Sequence, residues 1–286
     1  MERFNPFLCQ TQNKYEMQMN RKNTKAVLLL IVTASIVSIG CKKNSDKPAD
    51  PSPVPVINKL AKLEYSDGSY DSLFYNGDGN VTKIKQHSVF PGSYDEIFSF
   101  TYDNNKKVSR ITDNHDAYYD YKYSGNDLIS VAHYVRGQKE DFKFYDYANG
   151  KLSTVEEYYQ EMPGTTGWLF TSERRYSYYA DGNVKQEIQY TFDAQRKLLK
   201  DVTIDYSDYD GKVNSLEPLG HFLYLSQVSL AKNNVRKYTT KHEATGISSE
   251  FSFEYTYNDF SNPLTHKMTY KEGNNTHTEM VKYYYY

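Results

Sequence analysis

From residue 57 onward the chain alternates apolar with polar positions, the period-two signature of strands that bury one face. The stretch EFSFEYTY is the cleanest case, with Phe251, Phe253, Tyr255 and Tyr257 on one side and Glu250, Ser252, Glu254 and Thr256 on the other. In EIQYTF the apolar set is Ile188, Tyr190 and Phe192, and in DVTIDY it is Val202, Ile204 and Tyr206. Successive side chains of a strand point to opposite faces, so each set predicts the buried side of its strand.

Between these runs lie NGDGN, DNNKK, SGND, ANGK, ADGN and DYDGK. Gly, Asn and Asp accept positive φ and form Asx turns, which a tight hairpin demands. The stretch FYNGDGNVTKI, 74–84, returns as TYDNNKKVSRI, 101–111: a tyrosine, a polar turn and a short β-branched run. The first apolar residue after each turn serves as an anchor, giving Val81, Val108, Leu128, Leu152, Val184, Val213 and Leu264. The last interval is long enough for two units, and Asn233-Asn234-Val235 marks a degenerate turn within it. Alternate turns fall at PGS (91–93), RGQ (136–138), PGTTG (163–167) and GNN (273–275). The pattern predicts an all-β fold, an antiparallel β-meander of roughly 14–16 strands. An open twisted sheet rarely exceeds about ten strands, so the meander is expected to be strongly curved or barrel-like. One segment departs from period two: SLEPLGHFLYL, 215–225, sets Leu216, Leu219 and Leu223 at helix-like spacing, while Pro218 and Gly220 cut a helix short. It is expected as a short helical or irregular insertion, a plug packed against the aromatic face.

The N-terminus carries an address. Arg21, Lys22 and Lys25 precede AVLLLIVTASIVSIG, 26–40, and then comes Cys41. This run suits a secretory core and falls short of the roughly 20 residues of a permanent membrane helix. Residues 1–40 therefore read as a signal peptide, with Met17 or Met19 expected as the translation start. The sequence SIGC resembles the bacterial lipobox, in which a small residue precedes a cysteine that is diacylated. The resemblance implies cleavage after Gly40, lipidation of Cys41 and an outer-membrane lipoprotein facing the periplasm or the cell surface. Two or three acyl chains suffice to hold a protein on its membrane. Residues 41–56 comprise the lipidated cysteine and a Pro-rich tether, KKNSDKPADPSPVP, too polar to bury a core. Residues 57–286 form the hairpin-repeat domain. With the signal peptide removed and Cys41 acylated, no thiol is left for a disulfide or a zinc–thiolate site.

The 286 residues include 30 tyrosines and one tryptophan, and the net charge is −2. No basic block outside the extreme N-terminus offers nucleic acid an electrostatic footprint, so that partner class is set aside. Seven histidines, at 87, 115, 133, 221, 242, 266 and 277, lack the spacing that brings two onto one metal. Asp205, Asp208 and Asp210, like Asn76, Asp78 and Asn80, offer oxygens at calcium-like intervals without completing an EF-hand loop, and turn chemistry accounts for them. No metal or cofactor is expected. No nucleophile elbow, P-loop or dinucleotide fingerprint occurs, and the adjacent Glu156 and Glu157 should face opposite ways, unable to share a glycosidic bond. No catalytic residue stands out. Trp168, just after the PGTTG turn, is the candidate for ligand stacking, set against a plain role at a strand start. Of Tyr158 and Tyr159, and of Tyr178 and Tyr179, one of each pair should meet solvent.

The segments YNGDGNVTKI, YDNNKKVSRI and YYADGNVKQE resemble the YD repeat of Rhs-type proteins, which build large β-shells. Together with the lipobox, DYDGKVNSLEPLG followed by LAKNNVRK is similar to the uncharacterised lipoproteins of Bacteroidota, a domain of unknown function described as porin-like in shape. The resemblance covers about residues 57–286 and implies a β-rich envelope lipoprotein with no known catalytic residue. The function expected is a non-catalytic binding or scaffolding module, on the membrane through Cys41, with an envelope polysaccharide or protein as partner. One rival is an envelope hydrolase built from carboxylates on distant strands. The other is an outer-membrane β-barrel pore: the ending TEMVKYYYY resembles outer-membrane strands, although tyrosine occurs throughout the chain and not only at the rims of an apolar band.

Overall fold

A computed structural model describes residues 59–89, 92–160, 167–193, 195–216, 219, 230–272 and 275–286. Its strands are β1 Leu60–Tyr65, β2 Tyr70–Tyr75, β3 Val81–Ser88, β4 Tyr94–Tyr102, β5 Val108–Thr112, β6 Ala117–Ser124, β7 Asp127–Val135 and β8 Gln138–Ala148. They continue as β9 Lys151–Gln160, β10 Trp168–Tyr178, β11 Val184–Phe192, β12 Leu198–Val213, β13 Asn233–His242, β14 Ser248–Tyr257, β15 Pro263–Glu272 and β16 Asn275–Tyr285. Each pairs antiparallel with its chain neighbours, and β16 returns to β1 to close a barrel. Leu63 stands opposite Tyr283 across this seam, and the Tyr286 N–H donates to the Lys59 carbonyl at 3.0 Å.

Cross-strand partners share a face. The pairs Tyr283–Leu63, Leu73–Ile84, Ile84–Phe98, Ile111–Tyr119 and Tyr121–Val131 therefore lie on one wall. Phe98, Leu73 and Ile84 are 0–1% exposed. Among the described residues the barrel is a single layer, so the wall that reaches such burial is the inner one. A barrel of this many strands ordinarily leaves an aqueous channel. Here one apolar cluster runs along the inner wall from β1 to β9 and onto β16, and it takes in Leu216, Leu219 and Leu230 from the insertion between β12 and β13. The insertion is pinned at its base by Asn214, whose side chain donates to the Ala231 carbonyl and accepts from the Leu216 N–H, both at 3.0 Å. Its described residues thus pack as the plug predicted for 215–225; the remainder of that segment lies outside the described residues.

The recurrent tyrosine has a structural reason. Every even-numbered strand carries one near its end: Tyr75, Tyr102, Tyr123, Tyr147, Tyr178, Tyr209, Tyr257 and Tyr285. Five of these hydroxyls donate to carbonyls at the start of the preceding strand, those of Leu60, Val81, Leu152, Val184 and Pro263. Tyr147 hydrogen-bonds the backbone of Leu128, and Tyr257 donates to the Asp210 carboxylate. The register shifts at the tyrosine in six hairpins, from Tyr75–Val81 on β2–β3 to Tyr257–Pro263 on β14–β15. One extra residue on the odd strand makes a bulge. Thr82, Ser109 and Ser153 fill it and donate their hydroxyls to the carbonyls of Phe74, Thr101 and Asp146. The bulge turns the anchor and the residue three later to the same inner wall, as in Leu128 with Val131 and Leu152 with Val155.

That bulge corrects three expectations. In β11 strict alternation predicted Ile188, Tyr190 and Phe192 as the buried set, yet the residue three beyond Val184 is Glu187, fully buried, and Ile188 faces outward. On β15 the anchor is the buried Pro263 and not Leu264, which is 41% exposed, and the residue three later is His266. The segment DYDGK is not a hairpin turn: β12 runs through it to Val213, 72% exposed, with Asp208 and Gly211 at φ of 51° and 74°. The buried anchor of that region is Val235, and Asn233 and Asn234 open β13.

Candidate functional site

Two groupings stand out, one on each wall of β8 to β11. On the inner wall the apolar cluster gives way to charge. Lys143 on β8 lies 3.0 Å from Glu157 on β9, which also accepts from the Ser172 hydroxyl of β10 at 3.0 Å. Glu187 on β11 accepts from the Gln189 side chain at 2.9 Å. Arg174 on β10 sits among Tyr176, Glu187, Glu157 and Tyr145. Burial works against its charge, but those groups outweigh it and hold the guanidinium above its ordinary range. Burial likewise pushes the Glu157 carboxyl up, and Lys143 with Arg174 overcomes it, leaving Glu157 below the usual carboxylate range. For Glu187 burial prevails over Arg174 and the carboxyl is raised. Two carboxyls pushed apart are what acid–base chemistry uses. Glu187 is 0% exposed, however, and its charge partner Arg174 lies within the same wall. The group satisfies charge inside a packed wall.

On the outer wall four strands contribute one ring each to a row: Phe142, Tyr158, Phe170 and Phe192. Phe142 and Tyr158 stack at 4.8 Å and 5°, Tyr158 and Phe170 lie 5.3 Å apart, and Phe170 meets Phe192 edge-on at 5.2 Å. Trp168 stands edge-on to Phe142 at 4.8 Å, and Phe144, 44% exposed, at 5.1 Å. The Lys139 ammonium is 3.9 Å from the Phe142 ring centre and 4.8 Å from that of Trp168, and the Arg196 guanidinium is 4.9 Å from that of Phe192. Burial and the nearby Lys122 push the Lys139 amine below the usual lysine range. The rings lie in the half of the barrel away from the tyrosine-bearing strand ends.

No family model matches the chain, and no curated protein sequence matches it. Among solved structures a porin-like protein from Bacteroides uniformis is similar with a TM-score of 0.56 at 14% identity, over 79% of this chain and 98% of that one. The barrel fold is shared. A porin-like protein from Bacteroides vulgatus has a TM-score of 0.48 at 12% identity, covering 80% of this chain and 99% of its own. A protein of unknown function from Bacteroides fragilis covers 50% of this chain at 10% identity, with a TM-score of 0.33.

In this region the sequence singled out Trp168 for ligand stacking and placed Tyr158 or Tyr159 toward solvent, while Phe192 was expected on the buried side. Trp168 both opens β10 and joins the outer ring row with Phe170 of the same strand, while Phe142 and Phe144 come from β8, Tyr158 from β9 and Phe192 from β11. Glu156 and Glu157 do face opposite walls: Glu156 accepts from the outward Tyr158 hydroxyl at 2.9 Å, Glu157 from Lys143 within. Of the tyrosine pairs, Tyr158 is outward, Tyr178 inward, and Tyr179 is 37% exposed. His87 and His133 pair with Asp95 and Asp141 at 2.8 and 2.7 Å, and His266 with the Tyr283 hydroxyl at 2.7 Å. Asp210 accepts from the Lys212 N–H and Asn76 from the Asn80 N–H, as turn residues do. Among the described residues no three metal-ligating side chains converge. Gly40 and Cys41 lie outside the described residues.

Proposed function

We propose that the chain is an outer-membrane lipoprotein, cleaved after Gly40 and anchored through lipidated Cys41, whose barrel stands in water as a non-catalytic binding or scaffolding module in the periplasm or at the cell surface. The observation that carries this reading is the chemistry of the outer wall. Ion pairs cover it: Lys282–Glu64, Lys85–Asp95, Arg110–Asp120, Lys237–Glu250 and Lys267–Glu254. A lipid-facing band must be apolar, since each Arg or Lys at the bilayer midplane costs about 2–4 kcal/mol. The apolar cluster along the inner wall, joined by Leu216, Leu219 and Leu230, supports the same reading. Its partners on this reading are the membrane, through the acyl chains alone, and an envelope polysaccharide or protein.

Three measurements test it. Residues 42–286, exported without the lipidated cysteine, should be soluble without detergent and add no conductance to a planar bilayer; a detergent requirement with stepwise currents would overturn the reading in favour of a pore. Mass spectrometry of the mature N-terminus should find an acylated Cys41, lost in Cys41→Ala. Turnover of envelope polysaccharides or peptides by the barrel would make it a hydrolase and refute the non-catalytic part.

A further inference from the structure

Four cations that lie over rings on the outer wall are each also held by a carboxylate: Lys62 over Tyr70 by Glu64, Lys85 over Tyr70 by Asp95, Arg110 over Tyr118 by Asp120, and Arg175 over Tyr190 by Glu173. Lys139 and Arg196 differ, as does Lys83 over Phe74 on β3 and β2, away from the ring row. Lys139 and Arg196 each lie over a ring of the β8–β11 row. The wall therefore presents a row of rings with a cation near each end; among the described residues neither cation is in an ion pair, and Asp141 acts on Lys139 only through its field.

We propose that this strip, bounded by Lys139 with Trp168 and by Arg196 with Phe192, binds a linear acidic polysaccharide. The inference rests on the binding-module reading above and names its site and ligand class. Sugar rings carry apolar faces that pack on aromatic side chains, and carboxylates along the polymer match the two cations that have no ion pair among the described residues. A linear polymer suits a row that crosses four strands side by side. A protein partner would seek a pocket for an anchor residue, and hot spots of protein interfaces sit in such pockets. The strip is a shallow row on a convex wall.

Trp168 is the only tryptophan of the chain, so its fluorescence reads the strip directly. The full lipidated chain in detergent micelles would be titrated with polygalacturonate, with neutral dextran and with poly-glutamate. A saturable emission change with polygalacturonate is expected, with dextran and poly-glutamate at least tenfold weaker. Lys139→Gln and Arg196→Gln should each weaken binding about threefold to tenfold, the worth of one cation on a ring or carboxylate, and rising salt should weaken it further. Both variants change partly exposed side-chain ends, so the fold remains. No response to polygalacturonate overturns the proposal, as does equal binding of dextran, which would remove the role of charge, or of poly-glutamate, which would remove the role of sugar. Self-association abolished by the two variants would assign the strip to a second copy instead. Failure here with a soluble, non-conducting barrel leaves the module reading standing; new reducing ends released from polygalacturonate would refute that reading and leave the site in place.

Discussion

Arg174 and Arg175 are neighbours in the chain and opposites in environment. The first faces inward among Glu157 and Glu187; the second is outward, paired with Glu173, with its side chain 52% exposed. Arg174→Leu strips two inner-wall carboxylates of their shared cation and should cost about 3–5 kcal/mol. Arg175→Leu leaves the Glu173 carboxylate, its side chain 9% exposed, without its partner, but takes away one carboxylate's cation and not two, and should cost less, about 1–3 kcal/mol. Urea denaturation of the two variants checks the contrast, and equal costs would place the walls the wrong way round. His266 supplies a pH dependence. Burial holds its imidazole down at about 4, against 6.5 for a free histidine. The unfolded chain therefore takes up that proton first, so the stability from keeping His266 neutral is present above pH 6.5 and is lost as pH falls toward about 4. The loss amounts to about 2–3 kcal/mol. Asp71 and Glu187, both raised by burial, favour the folded state in the opposite direction over acidic pH. The comparison that isolates His266 is thus wild type against His266→Gln: the variant should lose less stability between pH 6.5 and 4.

At the scale of the hairpin, the tyrosine closes what the polar turn begins. Its ring covers the end of the core, and its hydroxyl ties one strand to the start of the previous one, as Tyr75 does to Leu60 and Tyr178 to Leu152, both at 2.8 Å. Tyr75→Phe and Tyr178→Phe keep the ring and lose the bond, at about 1 kcal/mol each. On strands far apart in the barrel they should add, so the double variant should lose about 2 kcal/mol in denaturant melts. The hairpins were legible in the chain because turn chemistry and period two are local. The phase of β11 was not, since a bulge moves the inward position from two residues after the anchor to three. Aligned on that spacing, Ile84, Ile111, Val131 and Val155 share their place with Glu187 and His266, and the two buried ionisable side chains declare themselves as substitutions in an otherwise apolar column. The DYDGK misreading has the same root: positive φ at Asp208 and Gly211 serves a bent strand as readily as a turn.

At the scale of the molecule, closure removes every open edge, and unpaired edges invite association with other chains. Removing residues 275–286 deletes β16 and frees the edges of β1 and β15. Size-exclusion chromatography should then find aggregates or higher oligomers in place of a single compact species; a monomer of unchanged amide protection would show the seam to be dispensable.

The sequence by itself determined which residues form strands, where most of them turn, and that their order is a meander, because these follow from interactions within a few residues. Tertiary structure decided three further things: that β16 meets β1, that the tyrosine-bearing wall faces inward around a packed core, and that rings from Phe142 to Phe192 gather on one outer strip. Each depends on partners far apart in the chain, and a register shift of one residue exchanges the two walls.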